Sequence, residues 1–148
     1  MSTTFSGPVI SQNGFQGTFT GNVTGNVTGN VTGNVTGNLT GNSTGKHTGT
    51  LQYSTQSLSG AGAANLTTAV TLCTSTGAGN VVTLANATGQ GGLVKTIVHV
   101  ADGGSIVVTP ATCSGFTTVT LADVGQSVTL MFTGAAWVVL STNGGAIA

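Results

Sequence analysis

Between residues 15 and 51 the apolar positions fall on one four-residue frame: Phe15, Phe19, Val23, Val27, Val31, Val35 and Leu39, continued by Ser43, His47 and Leu51. Glycine keeps a second frame at Gly17, Gly21, Gly25, Gly29, Gly33, Gly37, Gly41, Gly45 and Gly49, with threonine before nearly every one. The unit is apolar-Thr-Gly-Asn. Four is twice the period of a β-strand, so an extended chain sets the apolar residue and Gly on one face and Thr and Asn on the other. Helix is disfavoured by Gly at every fourth residue and by β-branched Val and Thr between, and collagen needs Gly at every third. A single strand of this kind can neither bury its apolar face nor pair its own backbone, and roughly nine tetrads are too few for a one-chain solenoid of several turns.

The pattern therefore predicts that several identical chains, most simply three around one axis, supply each other's partners. In such an intertwined β-stalk Phe15, Phe19, Val23, Val27, Val31, Val35 and Leu39 line the axis. Gly21, Gly25, Gly29, Gly33, Gly37 and Gly41 permit close backbone approach or a bend. Fully extended at ~3.3 Å per residue, the segment would reach on the order of 100 Å. A flexible Gly-rich linker, the other reading, has no reason to keep an apolar residue in register.

From residue 52 the texture changes. Residues 52–65 read as a small-residue connector and 66–148 as a C-terminal β domain. Candidate strands lie at 66–74, 80–85, 93–101, 105–109, 117–121, 126–133 and 136–141, separated by the turn sequences GAGN, GQGG and ADGG and by the region of Gly134. Short strands at this spacing, with no convincing helix, predict a compact antiparallel sandwich, barrel or prism. Val128, Leu130 and Phe132 share one face against Thr129, Met131 and Thr133, and Val98 and Val100 oppose Ile97 and His99. WVVL at 137–140 is apolar on both faces, which predicts contact with another subunit or a second sheet.

Charge narrows the function classes. Lys46, Lys95, Asp102 and Asp123 are the only charged side chains, and the formal net charge is zero. That excludes a basic nucleic-acid surface, and a neutral chain dense in Thr and Asn fits part of an assembly better than a soluble monomer. Acid and base catalysis lacks its titratable groups, so the expectation is a non-enzyme without cofactor or metal. Cys73, His99 and Asp102 fall on separate strands and turns with no local signature. GAGN and GQGG lack the third glycine of a dinucleotide fingerprint and the Lys-Ser/Thr of a phosphate loop. His47, on the inward frame, reads as a polar end of the stalk rather than a metal ligand.

The sequons at Asn22, Asn26, Asn30, Asn34, Asn38, Asn42, Asn65 and Asn86 read as by-products of the repeat and not as glycan sites. MSTTFSGPVISQ has neither a basic n-region nor an apolar core, and no apolar run reaches the length of a membrane helix. Cys73 and Cys113 are accordingly expected as reduced, small hydrophobes and not as a disulfide.

FSGPVISQNGF followed by GNVTGN repeats resembles the N-terminal part of virion structural proteins of tailed bacteriophages, especially those of marine and cyanobacterial hosts. GGLVKTIVHVADGGSIVVTPATCSGFTTVTLADVGQSVTLMFTGAAWVVL is similar to a β-rich domain that recurs in the same kind of protein. The resemblance implies a homotrimeric, all-β virion component: a capsid decoration or head fibre, or a short tail-associated fibre. Its place would be the virion surface after assembly in the host cytoplasm, and its partners itself and the major capsid or another virion protein. Residues 1–14 would then be the docking segment, with Phe5, Pro8, Val9 and Ile10 as its apolar contacts. Two other classes are a self-assembling β-filament and a carbohydrate-binding fibre tip for a host surface glycan; the latter needs exposed aromatics, and of the few present Trp137 reads as core, leaving Phe116 and Tyr53.

Overall fold

In the second half of the chain, Val, Ile, Leu and Thr alternate over runs of five to eight residues, and glycine-rich corners divide the runs. Such runs form strands that bury one face. A computed structural model describes residue 50 and residues 52–148. Ten strands follow in order: β1 Thr55–Ser59, β2 Gly62–Ala64, β3 Val70–Thr74, β4 Asn80–Leu84, β5 Val94–Ala101, β6 Ile106–Pro110, β7 Val119–Leu121, β8 Ser127–Phe132, β9 Trp137–Asn143 and β10 Ala146–Ile147. The described residues are all-β. They form two open five-stranded sheets, ordered β1-β3-β5-β8-β9 (sheet A) and β10-β7-β6-β4-β2 (sheet B).

The path between sheets departs from the antiparallel expectation. From β1 to β6 successive strands alternate between sheets A and B, so neighbours within each sheet run parallel: β1 with β3 with β5, and β2 with β4 with β6. The chain thus winds through three coils. Only β7, β8, β9 and β10 pair antiparallel, closing one end of the winding. The physical reason lies in the corners, which carry the chain across to the facing sheet instead of folding it back beside the strand it has left. Gly60, in the left-handed region at φ 71° between β1 and β2, makes the first such corner.

The stretch 52–65, which the sequence presents as a connector, contains β1 and β2. Their run of Thr, Gln, Ser, Gly and Ala holds a single large apolar side chain, Leu58, and they are the edge strands of the first coil. Conversely, β3 begins later than hydrophobicity suggests. Asn65 Oδ1 accepts from the backbone N–H of Thr67 (3.1 Å) and Thr68 (2.9 Å) and from both threonine hydroxyls, so residues 65–68 form a turn and not the start of a strand.

One core fills the space between the sheets. Cys73, Ile97, Val128, Leu130, Phe132 and Trp137 enter it from sheet A, and Val82, Leu84, Ile106, Val108, Val119 and Leu121 from sheet B. Phe132 and Trp137 meet with ring centroids 5.3 Å apart at 55°. At the first coil the core ends in polar side chains that are fully engaged. Gln56 Oε1 accepts from Asn65 N (2.8 Å) and from the buried Thr71 hydroxyl (3.1 Å), while its Nε2 donates to Ala63 O (3.0 Å). Lys95 reaches the same turn with its stem in the core, its Nζ donating to Thr68 O (2.7 Å) and Thr68 Oγ1 (3.0 Å).

Candidate functional site

The residues expected to dock onto a particle, Phe5, Pro8, Val9 and Ile10, lie outside the described residues. So do the stalk positions Phe15, Phe19, Val23, Val27, Val31, Val35 and Leu39 and the glycines Gly21, Gly25, Gly29, Gly33, Gly37 and Gly41.

Among the described residues the nearest thing to a catalytic arrangement is Ser75 Oγ, 2.9 Å from His99 Nε2. Both side chains are buried, and both are occupied with the backbone. Gly103 N donates to Ser75 Oγ (2.7 Å), and Ala101 O lies 3.3 Å from that hydroxyl and 3.0 Å from His99 Nε2. Asp102 turns its Oδ1 to Gly104 N (2.7 Å), and His99 Nδ1 has no hydrogen-bond partner among the described residues. A dyad needs an exposed hydroxyl and an oriented imidazole. This pair clamps two corners together instead. Among the described residues no cluster of three His, Cys, Asp or Glu side chains could hold a metal ion.

Cys73 and Lys95 are likewise interior groups. Burial pushes the Cys73 thiol up from 9.0 to about 11, with nearby Lys95 pulling it partly back. Burial pulls the Lys95 ammonium below its usual value, and Cys73 opposes that. Burial also pushes the Cys113 thiol up; its Sγ lies against the carbonyls of Pro110 (3.6 Å) and Thr117 (3.5 Å). A thiol of raised pKa is a poor nucleophile at neutral pH.

The two buried groups act oppositely on stability. Cys73, raised in the folded state, contributes fully below pH 9 and loses its contribution as pH climbs to about 11. Lys95, lowered in the folded state, favours folding more as pH rises towards its ordinary value. In Lys95→Met only the first effect survives. Urea unfolding of that variant should show a loss of about 2 kcal/mol between pH 9 and 11 relative to Lys95→Met/Cys73→Ala, most of the full gap at 1.36 kcal/mol per pKa unit. Equal slopes for the two variants would remove Cys73 as the cause.

Among the described residues two depressions stand out. The larger, about 460 Å³, is a shallow groove across the ends of β2, β4 and β6, bordered by Ala63, Thr83, Thr109 and Pro110 among others and by no titratable side chain. The smaller, about 150 Å³, is lined by Tyr53, Ala69, Val70, Val94 and Thr96 and belongs to the outer face of sheet A.

That outer face is the feature that stands apart. The register aligns Thr55, Val70, Thr96, Thr129 and Ser141 in one row across all five strands. Ser57, Leu72, Val98 and Ser127 form the next row, and Val94, Met131 and Val138 a third. Val94 is 42% exposed and Val100 41%; Leu140, the residue inserted by the bulge in β9, is 52% exposed, and Tyr53 60%. At its centre the hydroxyls of Thr96 and Thr129 satisfy each other at 3.1 Å. None of these outward positions is charged, and Lys95 between them points inward. The outer face of sheet B carries smaller residues: Val81, Val107, Thr120 and Ala146 in one row, Ala63, Thr83 and Thr109 in another.

Alternation in the sequence already places Val98 and Val100 opposite Ile97 and His99, and marks Trp137–Leu140 as apolar on both faces. It does not reveal that Leu72 stands beside Val98, because that needs the parallel pairing of β3 with β5. Of the aromatics considered for a glycan platform, Trp137 is fully buried, Phe116 packs against the core and Tyr53 is exposed. Comparison with protein-family models, with curated proteins and with solved structures returns no match.

Proposed function

We propose that this chain is a non-enzymatic structural component of a tailed-phage virion: a homotrimeric capsid decoration or head fibre whose repeat forms the stalk and whose β domain forms the head. The observation that carries the assembly reading is the uncharged, apolar outer face of sheet A. A domain with a complete core between its two sheets needs no second apolar face for its own folding. Contiguous exposed apolar surface of this kind marks contact with another molecule. The tetrad frame from Phe15 to Leu51 supports the same reading, since its apolar stripe also lacks a partner within one strand. The virion assignment rests on the resemblance of FSGPVISQNGF, the GNVTGN repeats and the C-terminal sequence to phage structural proteins. Residues 1–14 serve as the docking segment in this reading.

The test is sedimentation of the full-length chain, alone and mixed with tailed-phage capsids, with its length taken from small-angle scattering. An elongated trimer that co-sediments with capsids is expected. A compact monomer would overturn the trimeric fibre. Open-ended polymers formed without capsids would replace it with a self-assembling filament.

A further inference from the structure

Resting on the homotrimer reading, we propose that copies of this chain meet through the outer face of sheet A, centred on Leu72, Val98 and the Thr96–Thr129 pair. The occupant of the face is a second copy of the same chain. Three features select it: polarity and continuity favour this face over the outer face of sheet B, and the absence of charge favours a copy over a charged partner.

The first is polarity. Val70, Leu72, Val94, Val98, Met131 and Val138 run across the face from β3 to β9, with Thr55 and Ser57 on the edge strand β1 beside them. A contiguous apolar area of this kind is what an interface covers. The two hydroxyls inside the apolar area already bond each other at 3.1 Å, so covering them strands no polar group. On sheet B the row Ala63, Thr83 and Thr109 is largely hydroxylic, and the row Val81, Val107, Thr120 and Ala146 holds no side chain larger than valine.

The second is charge. Among the described residues Lys95 is buried, Asp102 sits in the β5–β6 corner and Asp123 in the β7–β8 turn, so the face presents none. Two identical neutral faces meet without like-charge repulsion. A charged partner would lose hydration there and find no counter-charge, which is costly. The face fits a copy of itself better than an ordinary charged protein surface.

The third is continuity along the chain. The apolar frame of the repeat ends at Leu51, two residues before Tyr53. Tyr53 lines the small groove with Val70 and Val94 on this same face. Tyr53 and Ser54, whose carbonyl accepts from Val70 N, therefore lead into β1 along the edge of sheet A's outer surface.

Cysteine cross-linking of the full-length chain tests the assignment. Val98→Cys and Val94→Cys on sheet A are compared with Val107→Cys on sheet B and with wild type, under mild oxidation at low protein concentration. Because Val94 is already 42% exposed, its substitution leaves the core untouched and keeps the test valid should Val98→Cys disturb folding. The expected result is a reducible, covalently linked species from the sheet A variants and its absence from Val107→Cys. If wild type is trimeric but only Val107→Cys cross-links, or neither sheet does, the face assignment falls while the trimer stands. If wild type is monomeric and no variant cross-links, both fall together.

Discussion

Replacing Trp137 with alanine should lower the stability of the β domain by about 3–5 kcal/mol, the usual loss when a large buried aromatic is truncated and the site cannot collapse. Trp137 is fully buried, and its backbone binds the segment between β6 and β7: its N–H donates to Thr112 O and its carbonyl accepts from Ser114 N, both at 2.9 Å. Its indole Nε1 crosses to the other sheet and donates to Ala85 O at 3.1 Å. It thus fastens β9 to the far ends of β4 and β6, and packs on Phe132. Small domains hold a margin of only about 5–15 kcal/mol, so a large share disappears with this one side chain. Trp137→Phe keeps most of the packing but leaves Ala85 O unpaired, and should cost about 1–3 kcal/mol. Urea midpoints followed by circular dichroism distinguish the two; equal losses would mean that the lost indole hydrogen bond, and not packing, sets the effect.

Gly104→Val should be nearly as damaging, for a reason that involves no core residue. Gly104 lies in the β5–β6 corner at φ 143°, in backbone space essentially reserved for glycine. A Cβ there would collide with Ala78 N and Gly77 C, backbone atoms of the corner one coil below. The strained conformation alone is worth about 1–3 kcal/mol, and the steric conflict adds to it because the obstacle is main chain. Gly79→Ala is the control. It also has positive φ, at 70°, but nothing stands within 4 Å of its Cβ, so only the conformational cost applies. Thermal unfolding should place Gly104→Val well below Gly79→Ala. The reverse order would show that the corners do not stack as tightly as described.

The strands themselves were legible because burial imposes period two. In β8 the alternation of Val128, Leu130 and Phe132 with Thr129 and Met131 reproduces the observed burial residue by residue. β5 follows the same rule with Ile97 and His99 inside, yet its third inward residue is Lys95, which no hydropathy pattern would place in a core. What admits it is a tertiary fact, the Thr68 carbonyl and hydroxyl waiting at the end of its stem. β1 escaped because Gln56 plays the inward part that an apolar residue plays elsewhere, again through partners distant in sequence, Ala63, Asn65 and Thr71. The winding of strands between sheets was hidden for a similar reason. Hairpin corners and sheet-crossing corners use the same Gly, Ser and Thr, and only the partner on the next coil tells them apart. The outer face of sheet A was half legible: the apolar residues were visible strand by strand, while the rows that join them depend on register.

The alternation of strands between two sheets also sets a repeat distance. Twenty-six residues separate Val70 from its neighbour Thr96 in sheet A, and the same number separates Asn80 from Ile106 in sheet B. Both walls of the winding therefore advance in step from the second coil to the third, and the antiparallel strands act only on the last one. Height in this architecture is decoupled from closure. A segment of that length inserted before β5 would lengthen the domain without asking anything new of its end, so related chains could differ in stature by whole coils while keeping one and the same lid.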